Sequence, residues 1–341
     1  MGRIGVMTAG GDCPGLNAAI RATVARLTVP HGREVVGILN GWQGLISNDV
    51  RPLDRDSVRG IVARGGTILG TSRIDPYVHA NGYQSIRPTL EQHDIERVIV
   101  IGGEGTLASA LELEGEGLHV IGVPKTIDND IPATDLTFGF HTAVQIASDA
   151  VDRLTTTAES HNRVMLVEVM GRNAGWIALF SGISSGADVI LIPEVPYDLD
   201  EVCRIILERH QRGGKYSVVV VAEGVPTPDG STRIQAMDAL GFPRLGGVAY
   251  DLAPIIEEGT SFETRVTILG HIQRGGTPTA FDRVLATRFG VAAADLAATG
   301  ASGVMVALRG DRITPVPLHE ACDHMRGVDP KLYEVAKTFF G

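Results

Sequence analysis

Short apolar runs alternate with longer amphipathic stretches along most of the chain. Each run is continuous and rich in β-branched residues, a pattern typical of strands that are covered on both faces. The stretches that begin at Leu16 (LNAAIRATVARL) and Leu199 (LDEVCRIILERH) carry apolar residues at helical spacing and predict helices. The predicted strands are RIGVMT (3–8), RVIVIG (97–102), HVIGVP (119–124), RVMLVEV (163–169), DVILIPEV (188–195), YSVVVVAEG (216–224) and RVTILGH (265–271).

This alternation predicts an α/β fold with mainly parallel sheets. A length of 341 residues with 44% hydrophobic content suggests about two domains with sizeable cores. The strands fall into two groups, so we expect two doubly wound domains facing a cleft, with the chain crossing near TFGFHTA (137–143). The stretch 225–262 is rich in turns and is expected to contain two helical pieces.

The predicted strands lead into polar, glycine-rich or charged segments. These segments are AGGDCPG, GGEGT, PKTIDND, MGRNAG, PEVPYD, AEG and GHIQRGG. In an open parallel sheet, the loops at the carboxyl ends of the strands form the ligand crevice. We therefore expect the chemistry of the protein to collect along one edge of the fold.

Composition and charge narrow the classes of partner. The formal net charge of -10 argues against nucleic acid. No apolar stretch approaches the roughly 18 residues of a membrane-spanning helix, and the N-terminal residues lack a secretory signal, so no membrane partner is expected. The cysteines, Cys13, Cys203 and Cys322, show no metal-binding or redox spacing, which indicates a reducing, cytoplasmic location.

Two glycine-rich loops follow predicted strands. In the first, Gly10, Gly11 and Gly15 stand between a strand and a helix, where backbone N–H groups favour an anion; a tight structural turn is an equally good interpretation. In the second, GGEGT, Thr106 is placed to cap the following helix. Glu104 in this loop is either a ligand of phosphate-bound Mg²⁺ or a solvated loop acid.

The segment PKTIDND (124–130) holds Asp128 and Asp130 one residue apart, and two such acids repel each other unless a cation lies nearby. Arginines in glycine-rich settings or next to apolar runs supply that positive charge: Arg73, Arg163, Arg172, Arg265 and Arg274, the last beside His271. Anion cradles, a metal, cations and a base are the parts that phosphoryl transfer needs. Asp128 is the expected base for an acceptor hydroxyl, and Asp130 the partner of the metal or of a positioning arginine.

The motifs GGDCPGLNAAIR, GGEGT, PKTIDND, SHNRVMLVEVMGR, PEV and GHIQRGG resemble, in the same order, those of the bacterial 6-phosphofructokinase family. The resemblance covers nearly the whole chain and implies a glycolytic kinase that phosphorylates the 1-hydroxyl of fructose 6-phosphate. It implies a phosphoryl-donor domain for ATP and Mg²⁺ at 1–139 plus about 273–323. A fructose 6-phosphate domain is implied at 140–272 plus about 324–341.

The resemblance also implies roles for individual residues. Catalytic roles fall on Thr126, Asp128 and Arg172. The implied donor-binding residues are Gly11, Arg73, Ile74, Gly103, Glu104, Gly105, Thr106 and Lys125, and the implied metal ligands are Glu104 and Asp130. The implied fructose 6-phosphate residues are Thr126, Asp128, Arg163, Met170, Gly171, Arg172, Glu223, Arg265, His271 and Arg274. Of these, Arg163 and Arg265 match arginines that reach a neighbouring subunit's substrate, which implies at least a dimer, and the resemblance to the family implies a homotetramer.

The identity of the phosphoryl donor rests on two positions. In the family, nucleotide-dependent members have Gly at position 105 and pyrophosphate-dependent members have Asp, whereas Lys at position 125 marks pyrophosphate users. This chain combines Gly105 with Lys125. A carboxylate at 105 would repel the α-phosphate of a nucleotide, whereas Lys125 can contact a phosphate of either donor. The absence of a group that excludes ATP therefore carries more weight than the presence of a lysine that both donors tolerate. We therefore predict ATP, with pyrophosphate as the alternative.

Allosteric members of the family bind ADP or phosphoenolpyruvate through basic residues. Arg21 and Arg55 match two of them, and Arg212 replaces a lysine. Basic residues of the family are absent at Ala25, Thr155 and Gly214, and Asp188 stands where the effector metal has a glutamate. The prediction is an effector pocket that persists in weakened or altered form.

Three other classes of protein compete with this interpretation. A dinucleotide-binding oxidoreductase requires a G-x-G-x-x-G turn with an acid about 20 residues further on, and AGGDCPG lacks that spacing. An NAD kinase shares the GG[DE]GT loop but does not account for MGR and GHIQRGG. A non-catalytic sugar-phosphate sensor would not need Asp128 in the position of a base.

Overall fold

The computed structural model describes residues 2–237 and 243–341. The strands are β1 Arg3–Thr8, β2 Val35–Ile38, β3 Val50–Leu53, β4 Ile95–Gly102, β5 Val120–Thr126, β6 Phe138–Gly139, β7 Val164–Val169, β8 Val189–Leu191, β9 Ser217–Ala222, β10 Ile234–Met237, β11 Pro243–Leu245, β12 Thr264–Ile268, β13 Val304–Arg309 and β14 Arg312–Pro317. The helices are α1 Leu16–Thr28, α2 Trp42–Ser47, α3 Pro76–His79, α4 Tyr83–Gln92, α5 Glu104–Gly115, α6 Phe140–His161, α7 Trp176–Ser185, α8 Leu199–Gln211, α9 Val248–Thr260, α10 Ala280–Ala298 and α11 Pro330–Lys337. Short 3-10 helices span Gly270–Arg274 and Leu318–Ala321.

The chain divides into two compact units. The first unit runs up to Thr142 and includes Arg274–Met325, and the second contains Ala143–Gln273 and Arg326–Gly341. The sequence predicted domain boundaries at residue 139, about residue 272 and about residue 323. The assignment of one unit to the phosphoryl donor and the other to the sugar phosphate stays a proposal.

The first unit is built on a sheet with the strand order β14-β13-β5-β4-β1-β2-β3, and β6 pairs with the end of β5. Neighbouring strands run parallel except in the antiparallel β2–β3 and β13–β14 ladders. The central strands β1, β4 and β5 are almost wholly buried, as their continuous apolar runs predict. Because these three strands are neighbours, the loops at their carboxyl ends lie side by side.

Helix α10 packs closely on α1 within the first unit. A Cβ at Gly290 would lie 2.5 Å from the carbonyl oxygen of Ala19, so only glycine allows this approach. The hydroxyl of Thr23 donates to the carbonyl of Gly290 across the same contact at 3.2 Å. The packing of the two helices joins the late segment Arg274–Met325 to the early part of the chain.

The second unit contains a sheet with the order β12-β7-β9-β8, in which neighbouring strands are parallel. The predicted α/β fold with mainly parallel sheets is therefore confirmed in both units. The apolar run DVILIPEV forms only the short strand β8, because the chain turns at Pro193 and the residues that follow it form a loop. Helix α11 belongs to this unit, and the Tyr333 hydroxyl donates to the carbonyl of Ile190 at 2.7 Å.

The segment 225–262 differs from the expectation of two helical pieces. In its described part it contains one helix, α9, preceded by the antiparallel pair β10–β11. Residues 238–242 lie outside the described part of the chain. In the ranges 2–237 and 243–341, no helix combines the length and apolarity needed to span a membrane.

Candidate active site

The loops that follow β1, β4 and β5 converge in the first unit. A Cβ at Gly10 would lie 3.2 Å from the Thr106 hydroxyl and 3.5 Å from the Lys125 ammonium nitrogen. Each of these residues comes from a different strand end. The expected convergence of the two glycine-rich loops with PKTIDND is thus present within this unit.

Lys125 is an almost fully buried cation, with 3% of its surface exposed. Its Nζ donates to the carbonyl of Gly11 at 2.5 Å. Burial lowers the pKa of Lys125 to about 8, and the charge of Arg274 acts in the same direction, whereas Asp12 and Asp128 oppose the shift. A phosphate oxygen in this place would favour the charged form of the lysine.

Arg274 lies against the first glycine-rich loop. Its Nη1 donates to the carbonyl of Asp12 at 3.3 Å, and a Cβ at Gly11 would stand only 2.8 Å from that nitrogen. Glycine at position 11 therefore makes room for the guanidinium. Arg274 belongs to the first unit, as the expected boundary near residue 273 implies, and its assignment with His271 to the sugar phosphate stays a prediction.

The segment that carries Arg73 and Ile74 is tied to the same loop. The N–H of Gly10 donates to the carbonyl of Ser72 at 2.9 Å, and the Thr71 hydroxyl donates to the carbonyl of Gly10 at 2.6 Å. Arg73 follows directly and is exposed, while Ile74 is partly exposed. These hydrogen bonds bring both expected donor-binding residues to the edge formed by the three strand ends.

Helix α5 begins in the second glycine-rich loop. Gly103 is its N-cap residue, without a side-chain cap, and Thr106 is buried inside the helix. The prediction that Thr106 caps the helix is wrong, because its hydroxyl faces Gly10. Glu104 is exposed in the first turn, and a Cβ at Gly105 would meet no other described group within 4 Å apart from its chain neighbours and the backbone of its own helix.

The aspartates of PKTIDND are held in a closed loop. The N–H of Asp128 donates to the Thr126 hydroxyl at 3.1 Å, and the Thr137 hydroxyl donates to the carbonyl of Thr126 at 2.8 Å. Asn129 has a φ of 52°, in the left-handed region that asparagine tolerates, and its side-chain oxygen accepts the N–H of Thr137 at 3.0 Å. Sequence reasoning overlooked Asn129, whose position between two acids after a strand was the available signal.

Acidic charge accumulates around Asp130. Burial raises the pKa of Asp130, and the charges of Asp128 and Glu104 raise it further, while Lys125 lowers it. Among the residues that the structure describes, no group of three or more His, Cys, Asp or Glu side chains could hold a metal by itself. Acids that repel each other without forming a full ligand cage fit Mg²⁺, which keeps several waters and takes phosphate oxygens.

A second set of expected residues follows strands of the second unit. Met170, Gly171 and Arg172 come directly after β7, Glu223 after β9, and His271 after β12. These strands are neighbours in one parallel sheet, so their carboxyl ends share an edge. The structure thus brings these five residues to the same end of that sheet.

Hydrogen bonds fix the loop after β7. The N–H of Gly224 donates to the carbonyl of Gly171 at 3.1 Å, and Arg172 Nη2 donates to the carbonyl of Pro243 at 2.6 Å. The N–H of Met170 faces Oε1 of the fully buried Gln273 at 3.4 Å. Gly171 has a φ of 133°, a backbone conformation that a side chain would strain.

Arg163 and Arg265 lie at the opposite end of this sheet. Arg163 immediately precedes β7 and Arg265 is the second residue of β12, so both stand at the amino ends of their strands. The six residues of β7 at about 3.3 Å each separate its two ends by about 20 Å. The structure therefore does not bring these two arginines together with Met170, Arg172 and the other residues at the carboxyl ends.

Comparison with known proteins places this architecture. The family model described as Phosphofructokinase matches residues 3–297. The chain belongs to the phosphofructokinase family. The pyrophosphate–fructose 6-phosphate 1-phosphotransferase of Amycolatopsis methanolica is 53% identical over 343 residues, covering 99% of this chain and 100% of its own. The ATP-dependent 6-phosphofructokinase of Mycobacterium leprae is 52% identical over 342 residues, with the same coverage of both chains.

Solved phosphofructokinase structures share the fold. The structure of Pichia pastoris phosphofructokinase in the T-state has a TM-score of 0.84 at 33% identity and is matched over 99% of this chain and 38% of that chain. This chain thus spans less than half of the yeast protein's chain. The pyrophosphate-dependent phosphofructokinase of Nitrosospira multiformis has a TM-score of 0.84 at 21% identity, covering 99% of this chain and 91% of that one, and shows the same fold.

Two acids in this phosphofructokinase-family chain, the buried Glu168 and the partly buried Glu194, were not among the predicted site residues. Glu194, from PEV, accepts the N–H groups of Gly175 and Val328 at 2.9 Å and so holds the residues after the β7 loop. Glu168, inside the apolar strand β7, accepts the N–H of Gly247 at 2.7 Å near the start of α9. An acid within an apolar run was the signal that could have revealed Glu168.

Proposed function

We propose that this chain transfers a phosphoryl group to the 1-hydroxyl of fructose 6-phosphate, giving fructose 1,6-bisphosphate in glycolysis. Relatives of more than 50% identity over their whole length carry names that specify this acceptor or this kinase. The observation that carries the proposal is the convergence of Gly10, Lys125 and the acids of PKTIDND at neighbouring strand ends. A cytoplasmic location stays a prediction.

Asp128 is the proposed general base. The loop holds its backbone through Thr126, and Lys125 lies close enough for their charges to interact. The carboxylate takes the proton of the sugar hydroxyl as that oxygen attacks the terminal phosphoryl group of the donor, and the bond from this phosphorus to the rest of the donor breaks and releases the shortened donor. Arg172 is the proposed cation among the residues that bind fructose 6-phosphate, and Met170 and Gly171 form the loop that carries it.

Glu104 and Asp130 are the proposed residues that hold Mg²⁺. Burial and the charge of Asp128 raise the pKa of Asp130 most, and the charge of Glu104 adds to this shift; a divalent cation between the acids would relieve their repulsion. The ion would neutralise phosphate charge during transfer. The glycine-rich loops, Lys125 and Arg274 are proposed to bind the remaining phosphate oxygens of the donor.

ATP is the proposed phosphoryl donor, and the open space at Gly105 is the supporting observation. Pyrophosphate is the second candidate, because Lys125 lies buried beside Gly10 and Gly11 where a compact anion would meet it. The two relatives quoted above are named for different donors. Their names therefore do not decide between ATP and pyrophosphate.

A donor-exchange assay tests this choice. Purified protein, fructose 6-phosphate and Mg²⁺ are combined with ATP or with pyrophosphate, and we expect turnover with ATP and little with pyrophosphate. Gly105→Asp should then lower kcat/KM for ATP by about 10-fold or more, since a new carboxylate meets the nucleotide phosphate. Gly105→Ala is the matched control, because its methyl group enters open space. Efficient turnover with pyrophosphate alone would overturn the ATP proposal.

We also propose that the chain acts as a homo-oligomer, by resemblance a homotetramer. A sugar phosphate is much shorter than the roughly 20 Å between the two ends of β7, so it cannot reach both residue sets of one second unit. Arg163 and Arg265 are therefore proposed to serve a neighbouring copy. Sedimentation of the active enzyme should give a dimer or larger, and an active monomer would contradict this proposal.

The effector pocket is proposed to be weakened. Arg212 Nη2 donates to the carbonyl of Gly341 at 2.6 Å, and Asp188 pairs with Arg209 at 2.9 Å. Residues matched to the effector site thus already have partners in the chain. Activity titrations with ADP and with phosphoenolpyruvate should show small or altered responses, and no response to either would end the proposal of a persisting pocket.

A further inference from the structure

Glu263 lies between the two arginines at the amino ends of β7 and β12. Arg163 Nε donates to its Oε2 at 2.5 Å, and Arg265 Nη2 pairs with its Oε1. Each carboxylate oxygen therefore serves a different guanidinium. One acid links both arginines that the proposed function assigns to the fructose 6-phosphate of a neighbouring copy.

Strand pairing brings these groups together. Thr264 is in register with Val164, and the N–H of Val164 donates to the carbonyl of Glu263 at 3.0 Å. Glu263 and Arg163 are therefore direct neighbours across the start of the β7–β12 ladder. This hydrogen bond at the start of the ladder fixes the backbone of the acid.

Two guanidinium groups that share a small region repel each other, and an isolated pair would spread apart in water. A carboxylate between them offsets that repulsion and accepts a hydrogen bond from each. The contact with Arg163 is the largest cause that lowers the pKa of Glu263, so the acid stays ionised at neutral pH. The side chains of Arg163 and Arg265 remain 25% and 53% exposed.

Each guanidinium keeps donors available for a ligand. An arginine carries five N–H donors in a planar fork, and the contact with Glu263 involves one nitrogen of each arginine. The exposed edges of both groups can then meet one phosphate from two sides. Such a preorganised arrangement lowers the ordering cost of binding.

We propose that Glu263 is a positioning residue that holds Arg163 and Arg265 together as one phosphate-binding pair. This inference rests on the proposed function, which assigns both arginines to fructose 6-phosphate. The acid makes no contact with the reacting atoms. Its loss should weaken binding of the phosphorylated substrate and leave the chemical step intact.

The first test is Glu263→Gln in the full-length enzyme. We expect KM for fructose 6-phosphate to rise about 10-fold, the size of one lost charge-assisted interaction, with kcat within about twofold of wild type. Glu263→Asp keeps the charge and should recover part of the affinity. Glu208→Gln is the matched control, because Glu208 forms a similar exposed pair with Arg204 on α8 and should leave KM unchanged.

The second test places Glu263→Gln in an Arg163→Gln/Arg265→Gln background. If the acid acts through the arginines, it adds no further increase in KM there. Suppose that the arginine variants are impaired but that Glu263→Gln in the wild-type background leaves KM unchanged or lowers it. This result would overturn the role of Glu263 and leave the assignment of the arginines intact. An unchanged KM in the arginine variants themselves would overturn their assignment in the proposed function as well.

Discussion

Two clusters of charged residues in this chain differ in how far they are buried and in which groups they pair with. In the first unit, Lys125 is buried and its hydrogen-bond partner is a backbone carbonyl, while Asp130 sits near other acids. In the second unit, Arg163 and Arg265 are partly exposed and share the carboxylate of Glu263. Burial shifts the pKa values of the first group strongly, whereas water screens the charges of the second.

This difference determines what a substitution in each group can reveal. Removing a charge from the buried group changes the ionisation of its neighbours, so chemistry and stability respond together. In the exposed group, a lost charge changes the attraction for a ligand and leaves the fold nearly untouched. The following substitutions test this contrast, beginning with the largest expected effect.

Asp128→Asn should have the largest effect. Because the amide cannot take a proton, we expect kcat to fall about 10³-fold, with KM for fructose 6-phosphate changed little. Steady-state kinetics and calorimetric binding of fructose 6-phosphate measure the two parameters separately. Asp135→Asn, at an exposed acid of the same unit, is the control. A kcat within twofold of wild type would remove Asp128 from the chemistry.

Lys125→Met tests the cost of the buried cation. The pKa of Lys125 in the folded chain, about 8, lies below its ordinary value of 10.5, so the unfolded chain binds this proton more tightly. The wild type should therefore gain stability, up to roughly 3 kcal/mol, as pH rises from 8 to 10.5. In Lys125→Met this gain should disappear, as measured by unfolding at several pH values.

The control for this experiment is Lys215→Met, at an exposed position of the second unit. It should follow the pH dependence of the wild type. Identical pH profiles for the wild type and Lys125→Met would show that burial of the ammonium group has no energetic consequence.

Asp130→Asn should separate stability from activity. Burial and neighbouring acids raise the pKa of Asp130 above its ordinary value, so the folded chain holds this proton more tightly and loses stability as pH rises through that value. We therefore expect Tm to rise by about 2 °C or more at pH 8, with a smaller difference at pH 5. Kinetic titration with Mg²⁺ should show weaker use of the metal, and a lower Tm at pH 8 would contradict the stability argument.

Glu263→Gln tests the partly exposed cluster and should have the smallest effect on stability. Its Tm at neutral pH should stay close to that of the wild type, since water screens ion pairs whose members are partly exposed. The expected change in KM would then appear without any change in stability. A marked loss of Tm would indicate that Glu263 has a structural role in the sheet.

Much of the fold was predictable because buried parallel strands have a strong local signature. The run RIGVMT predicted β1 over the same residues, and the runs around β4, β5, β7, β9 and β12 were found within two or three residues of the observed strands. The strands β2, β3, β13 and β14 were not predicted. The first two are short and contain Gly37 and Pro52, which weaken the strand pattern, and β14 carries Pro315.

The site was predictable to the extent that it follows strand ends. Glycine-rich loops and PKTIDND come directly after β1, β4 and β5, and the parallel order makes them neighbours. The capping role expected for Thr106 was wrong, because the residue that its hydroxyl faces, Gly10, is far away in the sequence. The contact of Arg274 with Asp12 was not predicted for the same reason. Glu263 carried no signal at all, since an acid beside one arginine is an ordinary surface pattern.

The sequence alone determined the class of fold, the order of the motifs and the residue types available for phosphoryl transfer, because periodicity and turn chemistry are local properties of the chain. Only the tertiary structure decided which charges are buried and which groups share an edge. Burial of Lys125 and the bridging position of Glu263 both depend on strands that pair across long separations. The pKa of a group and the ion-pair partners of a charged side chain depend on the residues that surround them in space. Neither can be read from the residue type at one position of the sequence.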